Sequence, residues 1–266
     1  MASKLEQIKE TWNNFSHDYV ETMEQVTTLI YESILPLAKI ESSSKILEVG
    51  CGAGNGIRVL CSKKPQNASI TACDISESML LIAQSRNFPE TTFLMANNED
   101  LPFQNNSFDR YIANLSLHIV ENPVKMIEEA FRVLQPGGIA LFSSVGRPRP
   151  EDFRSFINQA LVTAGAPAKR SINLDIYEDD RLRKILKDAG FSRVLTFYSN
   201  VCIPATTVDE VVEILGKNYS VENVRAIDPE LHKRVLEAMR EESAAIFERG
   251  QLITFNYLAA AAFRDV

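Results

Sequence analysis

The sequence predicts an α/β fold, a parallel sheet covered by helices on both faces. Three observations predict it. Short β-rich apolar runs alternate with segments of helical period from residue 45 to 145, joined by short links. The first run leads directly into four alternating glycines, ILEVGCGAGNG at 46–56. The second run, ASITACD at 68–74, ends on an acid.

The elements follow in order. Residues 4–40 show helical spacing, with Leu5, Ile8, Trp12 and Phe15 on one face and Pro36 near the end. Lys45–Val49 reads as the first strand, and the pattern of Ile57, Leu60 and Cys61 as a helix over 54–64. After the strand at 68–74, Ser76 caps a helix running to Arg86. TTFLMA (91–96) and FDRYIANL (108–115) are the third and fourth strands. A helix over 121–134 closes at Gln135-Pro136-Gly137-Gly138, and IALFSSV (139–145) is the fifth strand. The pattern then loosens at Arg147-Pro148-Arg149-Pro150. Helices are expected at 151–164, 178–189, 207–217 and 228–248, with a strand at 193–203 and a last strand at 252–263. One domain results over 1–266. Its parts are an N-terminal helical lid (1–40), a core (41–146), a late strand with a helical cap (147–250) and a last strand (251–266).

Composition narrows the function classes. The chain has 266 residues, is 45% hydrophobic and carries a formal charge of −7, which suits one sizeable core and disfavours nucleic acid as a partner. No apolar run approaches the roughly 20 residues that a spanning helix needs, so no membrane partner is expected. MASKLEQIKE lacks the apolar centre of a signal peptide. The four cysteines lack C-x-x-C spacing and the three histidines lack ligand spacing, so no metal is expected. Free thiols point to the cytoplasm. The oligomeric expectation is monomer or homodimer.

The glycine stretch is the first functional signal. Gly50, Gly52 and Gly54 sit between a strand and a helix, where glycine permits φ > 0 and leaves no Cβ between a ligand and the backbone. Open α/β sheets hold ligands at this carboxyl edge. Asp74, at the end of the second strand, is placed to accept hydrogen bonds from ribose hydroxyls. The dinucleotide pattern G-x-G-x-x-G would need glycine at 55, where Asn55 stands, so a nicotinamide oxidoreductase is disfavoured.

Four motifs in order, spread over about half the chain, resemble the class I S-adenosylmethionine-dependent methyltransferases, and especially their small-molecule branch. They are Glu48-x-Gly50-x-Gly52-x-Gly54, CDISESML (73–80), NNEDLPFQNNSFDRYIANLSLHIV (97–120) and RVLQPGG (132–138). The resemblance implies a Rossmann-like, seven-stranded, mostly parallel sheet with its last strand antiparallel. It implies S-adenosyl-L-methionine as cofactor and a small-molecule methyl acceptor. Gly50, Cys51, Gly52 and Gly54 would lie against the methionine portion, with Glu48 organising the loop and the donor's ammonium. Asp74 would take the ribose, and Ile75, with Met79 behind it, would pack on the adenine. Asn97 and Asn98, with Glu99, would lie at the adenine edge, where the family pattern Gly-Asp-Ala-Glu is replaced by Ala96-Asn97-Asn98-Glu99. A carboxamide oxygen still accepts from an exocyclic amine. Asn114, with Leu115, would reach the methyl group.

Methyl transfer from a sulfonium is an in-line displacement, so the main task is to hold a nucleophile collinear with the leaving sulfur. A hydroxyl acceptor benefits from a base, and His118 is the first candidate and His17 the second. Tyr19, in WNNFSHDYVE (12–21), could lie beside the donor. Trp12 and Phe15 read as core packing or as substrate-pocket walls. Arg147, Arg149, Arg170 and Tyr177 border the expected acceptor pocket or are solvated surface. The acceptor atom stays open between oxygen, nitrogen, sulfur and carbon. Two alternatives stay open as well: a regulatory protein that binds the donor without transferring it, and the oxidoreductase.

Overall fold

The computed structural model describes residues 3–167 and 174–266. These form a seven-stranded sheet in the order β3-β2-β1-β4-β5-β7-β6. The strands are β1 (Lys45–Val49), β2 (Ser69–Asp74), β3 (Thr91–Met95), β4 (Phe108–Ala113), β5 (Leu134–Val145), β6 (Arg193–Cys202) and β7 (Thr254–Phe263). β7 runs antiparallel between β5 and β6, while β1–β5 pair in parallel. This is the sheet that the resemblance implies.

Alternation along the strands sends side chains to two cores. Ile46 of β1 joins the core beneath α2 (Glu24–Ile34) and α3 (Asn55–Lys63), and Leu47 and Val49 join the core beneath α5 (Pro123–Val133) and α7 (Asp179–Asp188). Glu48 therefore projects to the α2 side at the strand's carboxyl end. β5 carries buried residues on both faces, as an interior strand must.

Several expected boundaries differ. The single helix over 4–40 is broken at Met23 into α1 (Lys4–Thr22) and α2, followed by 3-10 turns at Leu35–Ala38 and Ile40–Ser42. A straight helix of that span would be about 55 Å long, too long for both halves to reach buried partners. Instead α1 docks on α4 (Glu77–Ser85), where Asn13 Oδ1 accepts from Ser76 Oγ (2.7 Å) and the Ser78 amide (3.2 Å). α2 buries Val26, Ile30 and Ile34 against the sheet. The Thr22 hydroxyl donates to the Asp18 carbonyl at the break, a bond that bends helices.

β5 begins at Leu134 rather than 139, so the Pro-Gly-Gly turn lies within the strand. Gly137 at φ +81 donates there to the Arg264 carbonyl, with a register shift against β4. After β5 come α6 (Phe153–Thr163), α7, α8 (Val208–Leu215) and α10 (Pro229–Glu248), near the expected positions. α9 (Tyr219–Ile227), capped by Asn218, was not expected. Arg170 lies outside the described residues.

Candidate active site

The turn after β1 is built as the glycines foretell. Gly50, Gly52 and Gly54 hold φ of +60, +54 and +90. A Cβ on Gly50 would stand 2.4 Å from Ser116 Oγ, so this position excludes any side chain. Asp74 fastens the turn to β2. Its Oδ2 accepts from the Gly52 amide and its Oδ1 from the Ser76 amide, both at 2.9 Å. The carboxyl is buried, and burial raises its pKa against the pull of those amides. Each oxygen keeps lone-pair capacity after these bonds. Ser76 caps α4 as expected, accepting from the Met79 amide at 3.2 Å.

A crevice opens above this turn, roofed by α1 and α2. Glu48, Gly50, Cys51, Gly52 and Asn114 form its floor, and Tyr19, Thr27, Thr28 and Tyr31 hang over it. It is narrow, about 40 Å³, whereas a cleft of about 470 Å³ lies between α1 and α9 and touches none of the motif residues. The narrow crevice is the one lined by motif residues: Glu48 and the glycine turn border it, and Asp74 holds that turn from β2 through the Gly52 amide.

Glu48 has one hydrogen-bond partner among the described residues, the Tyr31 hydroxyl, which donates to Oε2 at 2.8 Å. Burial pushes its pKa up to about 8. Gly56 makes this pair possible, since a Cβ there would stand 2.5 Å from Glu48 Oε1 and 2.7 Å from the Tyr31 ring. Tyr31, Thr27, Thr28, Asn55, Gly56, Ser116 and Ser143 escaped the sequence reading. The glycine alternation extends to Gly56, and that was the available signal for it.

The expected adenine edge divides. Asn97 Oδ1 accepts from the Glu99 amide at 3.1 Å, closing a local turn. Glu99 itself turns to the Glu121 amide at 2.7 Å. Asn98 is buried beside Gly50, and its Oδ1 has no hydrogen-bond partner. Ile75 is half-buried between Asp74 and the α4 cap, and Met79 is fully buried beneath it. Leu115, held at φ +53, and Asn114 end the turn after β4.

The three catalytic candidates are not brought together. Tyr19 enters the crevice, its hydroxyl 2.7 Å from Thr27 Oγ1. His17, two residues earlier, is exposed on another face of α1. His118 follows β4 with Nδ1 enclosed and unpartnered, and burial with the nearby Arg154 lowers its pKa to about 3. A ring with that pKa is neutral at pH 7 and a weak proton acceptor. Trp12 and Phe15 meet Tyr19 edge to face, with ring centroids at 5.9 and 6.5 Å, and back its ring. Arg147 pairs with Glu178 at 2.8 Å and lies over the Tyr198 ring, Tyr177 accepts from the Tyr198 hydroxyl through its carbonyl, and Arg149 is exposed.

Comparison with known proteins identifies the class. Residues 47–142 match the family described as a methyltransferase domain. Over 173 residues the chain is 32% identical to the ubiquinone/menaquinone biosynthesis C-methyltransferase UbiE of Rickettsia bellii, covering 57% of this chain and 70% of that protein. The phosphoethanolamine N-methyltransferase 2 of Haemonchus contortus, solved with S-adenosyl-L-methionine, shares the fold at TM-score 0.55 and 18% identity, over 90% of this chain and 53% of that one. So does the [4+2]-cyclase SpnF, at 0.58 and 20%, over 90% and 80%. The chain belongs to the class I S-adenosylmethionine-dependent methyltransferases. It is an enzyme of that class, and S-adenosyl-L-methionine is its methyl donor. No helix among the described residues is long and apolar enough to cross a membrane.

Proposed function

We propose that the crevice between the glycine turn and α2 holds the donor across the tips of β1 and β2, and that the acceptor is a small molecule. One observation carries the reading. Two buried carboxyls, Glu48 and Asp74, stand at adjacent strand ends on either side of a turn whose three glycines all hold positive φ. The polar groups present match those of the donor, and the crevice, at about 40 Å³, must widen to admit it. Asp74 retains lone pairs for the ribose hydroxyls, Glu48 suits the ammonium, and the unpartnered Asn98 Oδ1 suits an amine donor such as that of adenine. Gly52, where a Cβ would meet only the Tyr19 ring at 3.9 Å, leaves the backbone open to the thioether portion.

The bound donor supplies an activated methyl on a positive sulfur. The protein's own part is to position and to exclude water. Tyr19, backed by Trp12 and Phe15, roofs the crevice, and the Arg86–Glu24 pair at 2.8 Å ties α4 to α2. With His118 neutral and weakly basic, this reading favours an acceptor whose nucleophile needs no strong base. The kinship with enzymes named for quinone biosynthesis supports the small-molecule reading.

S-adenosylhomocysteine at saturating concentration is expected to raise the melting temperature by mass action, and NADH is expected to leave it unchanged. A shift with NADH alone would overturn the donor assignment. Label transfer from methyl-labelled donor to a member of a small-molecule panel separates the enzyme from a regulatory binder.

A further inference from the structure

The cleft between α1 and α9, at about 470 Å³, has the volume of a small-molecule site and lies outside the donor crevice. Its lining carries three carboxylates, Glu10 and Asp18 of α1 and Glu222 of α9, and no lysine, arginine or histidine. Phe15 of α1 and Tyr219 of α9 also line it and meet edge to face, with ring centroids at 6.2 Å. The cations nearby are engaged elsewhere or shared. Lys217, in the link between α8 and α9, is held by Glu21 at 2.9 Å. Arg225 and His232 reach Glu222 at 3.4 and 3.9 Å. The Glu10 and Asp18 carboxylates have no ion pair or hydrogen bond among the described residues. A cleft walled by one sign of charge concentrates the opposite sign.

The spacing of the acids selects among cations. Glu10 and Asp18 lie on one helix, about 12 Å apart along its axis, with Phe15 between them in the chain. No three acids among the described residues stand close enough to share a metal ion. An inorganic cation would therefore meet these carboxylates one at a time, in contact with water. A linear aliphatic polyamine carries ammonium groups separated by methylenes. Its charges can meet Glu10 and Asp18 together, while the methylenes and the ammonium beside them pack on the two rings.

We propose that this cleft is a binding site for a linear aliphatic polyamine, separate from the donor crevice. Phe15 joins the two, since its ring also meets that of Tyr19 above the crevice. The test is calorimetry at about 0.15 M salt, where long-range attraction to an acidic chain is screened. Spermidine is the probe, with hexylamine, which has one ammonium, and magnesium as controls. Spermidine is expected to bind saturably, and both controls about tenfold more weakly or less. Glu10→Gln and Asp18→Asn should each raise the spermidine dissociation constant about 3–10-fold, the scale of a charge-assisted contact at a partly exposed site. Glu32→Gln, an exposed acid of α2 outside the cleft, should leave it unchanged. Equal losses in all three variants, controls that bind as tightly as spermidine, or no saturable binding overturn the proposal. Methyl-labelled donor separates two origins of such a ligand, and either supports the site: label on a spermidine nitrogen marks the acceptor, and spermidine bound without label marks a second ligand. The outcome does not depend on the donor reading, which the S-adenosylhomocysteine melting shift tests by itself.

Discussion

Replacing Glu48 by Gln should change how stability depends on pH. The Glu48 carboxyl is buried with one hydrogen-bond donor, Tyr31, and burial raises its pKa from an ordinary 4.5 to about 8. In the unfolded chain the same carboxyl ionises near 4.5. Between these values the native state holds a proton that the unfolded state has released. Stability is therefore full below about pH 4.5 and falls as pH rises toward 8. At 1.36 kcal/mol per decade of proton concentration, the whole interval is worth on the order of 5 kcal/mol. That is a large share of the roughly 5–15 kcal/mol that stabilises a domain. Glutamine keeps an oxygen for the Tyr31 hydroxyl and has no proton to lose. Urea unfolding of both proteins from pH 5 to 8.5 is the assay. The variant's advantage should grow through this range by a few kcal/mol and level off above pH 8. Tyr31 and Cys51 are both pushed well above their ordinary values by burial, so their titration lies outside the window. Parallel stability curves would refute the reasoning, since they would mean that Glu48 is ionised throughout or well solvated.

The other predictions concern the turn and its supports. Asp74→Ala should weaken S-adenosylhomocysteine binding by on the order of 1–3 kcal/mol in calorimetry, through the lost ribose acceptor and the freed Gly52 amide; unchanged affinity would remove the ribose from this carboxylate. Gly56→Ala adds a residue that helices prefer, yet its Cβ would meet Glu48 Oε1 at 2.5 Å and the Tyr31 ring at 2.7 Å. Denaturant unfolding should show a net loss of about 1–3 kcal/mol, and a gain would mean that the pair yields without strain. Asp152→Ala should cost on the order of 3–5 kcal/mol by the same measurement. The fully buried Asp152 carboxylate holds Arg154 at 2.7 Å and accepts from the Asn256 backbone and side chain, so its loss strands a partly buried guanidinium.

What the sequence made legible is what the backbone demands locally. A left-handed turn needs glycine at 50, 52 and 54, whatever surrounds it, and the acid ending β2 lies a fixed distance along the chain. The strands from 45 to 113 were legible for the same reason, being short runs bounded by turn residues. The break at Met23 was not, because residues on either side keep helical spacing and only their separate docking onto α4 and the sheet forces the bend. The site's polar partners were hidden in another way. Tyr31 meets Glu48 across 17 positions, and Ser143 meets Asn114 across 29. A carboxamide in a sequence offers both a donor and an acceptor, and only its neighbours decide which is left over. The neighbouring Asn97 and Asn98 show this. As residues they are equal candidates for one adenine contact. In the fold the Glu99 amide claims the Asn97 oxygen, while burial beside Gly50 leaves the Asn98 oxygen without a partner. The polarity of a binding site thus follows from which hydrogen-bonding atoms the scaffold has not already used, and that count exists only once the elements have packed.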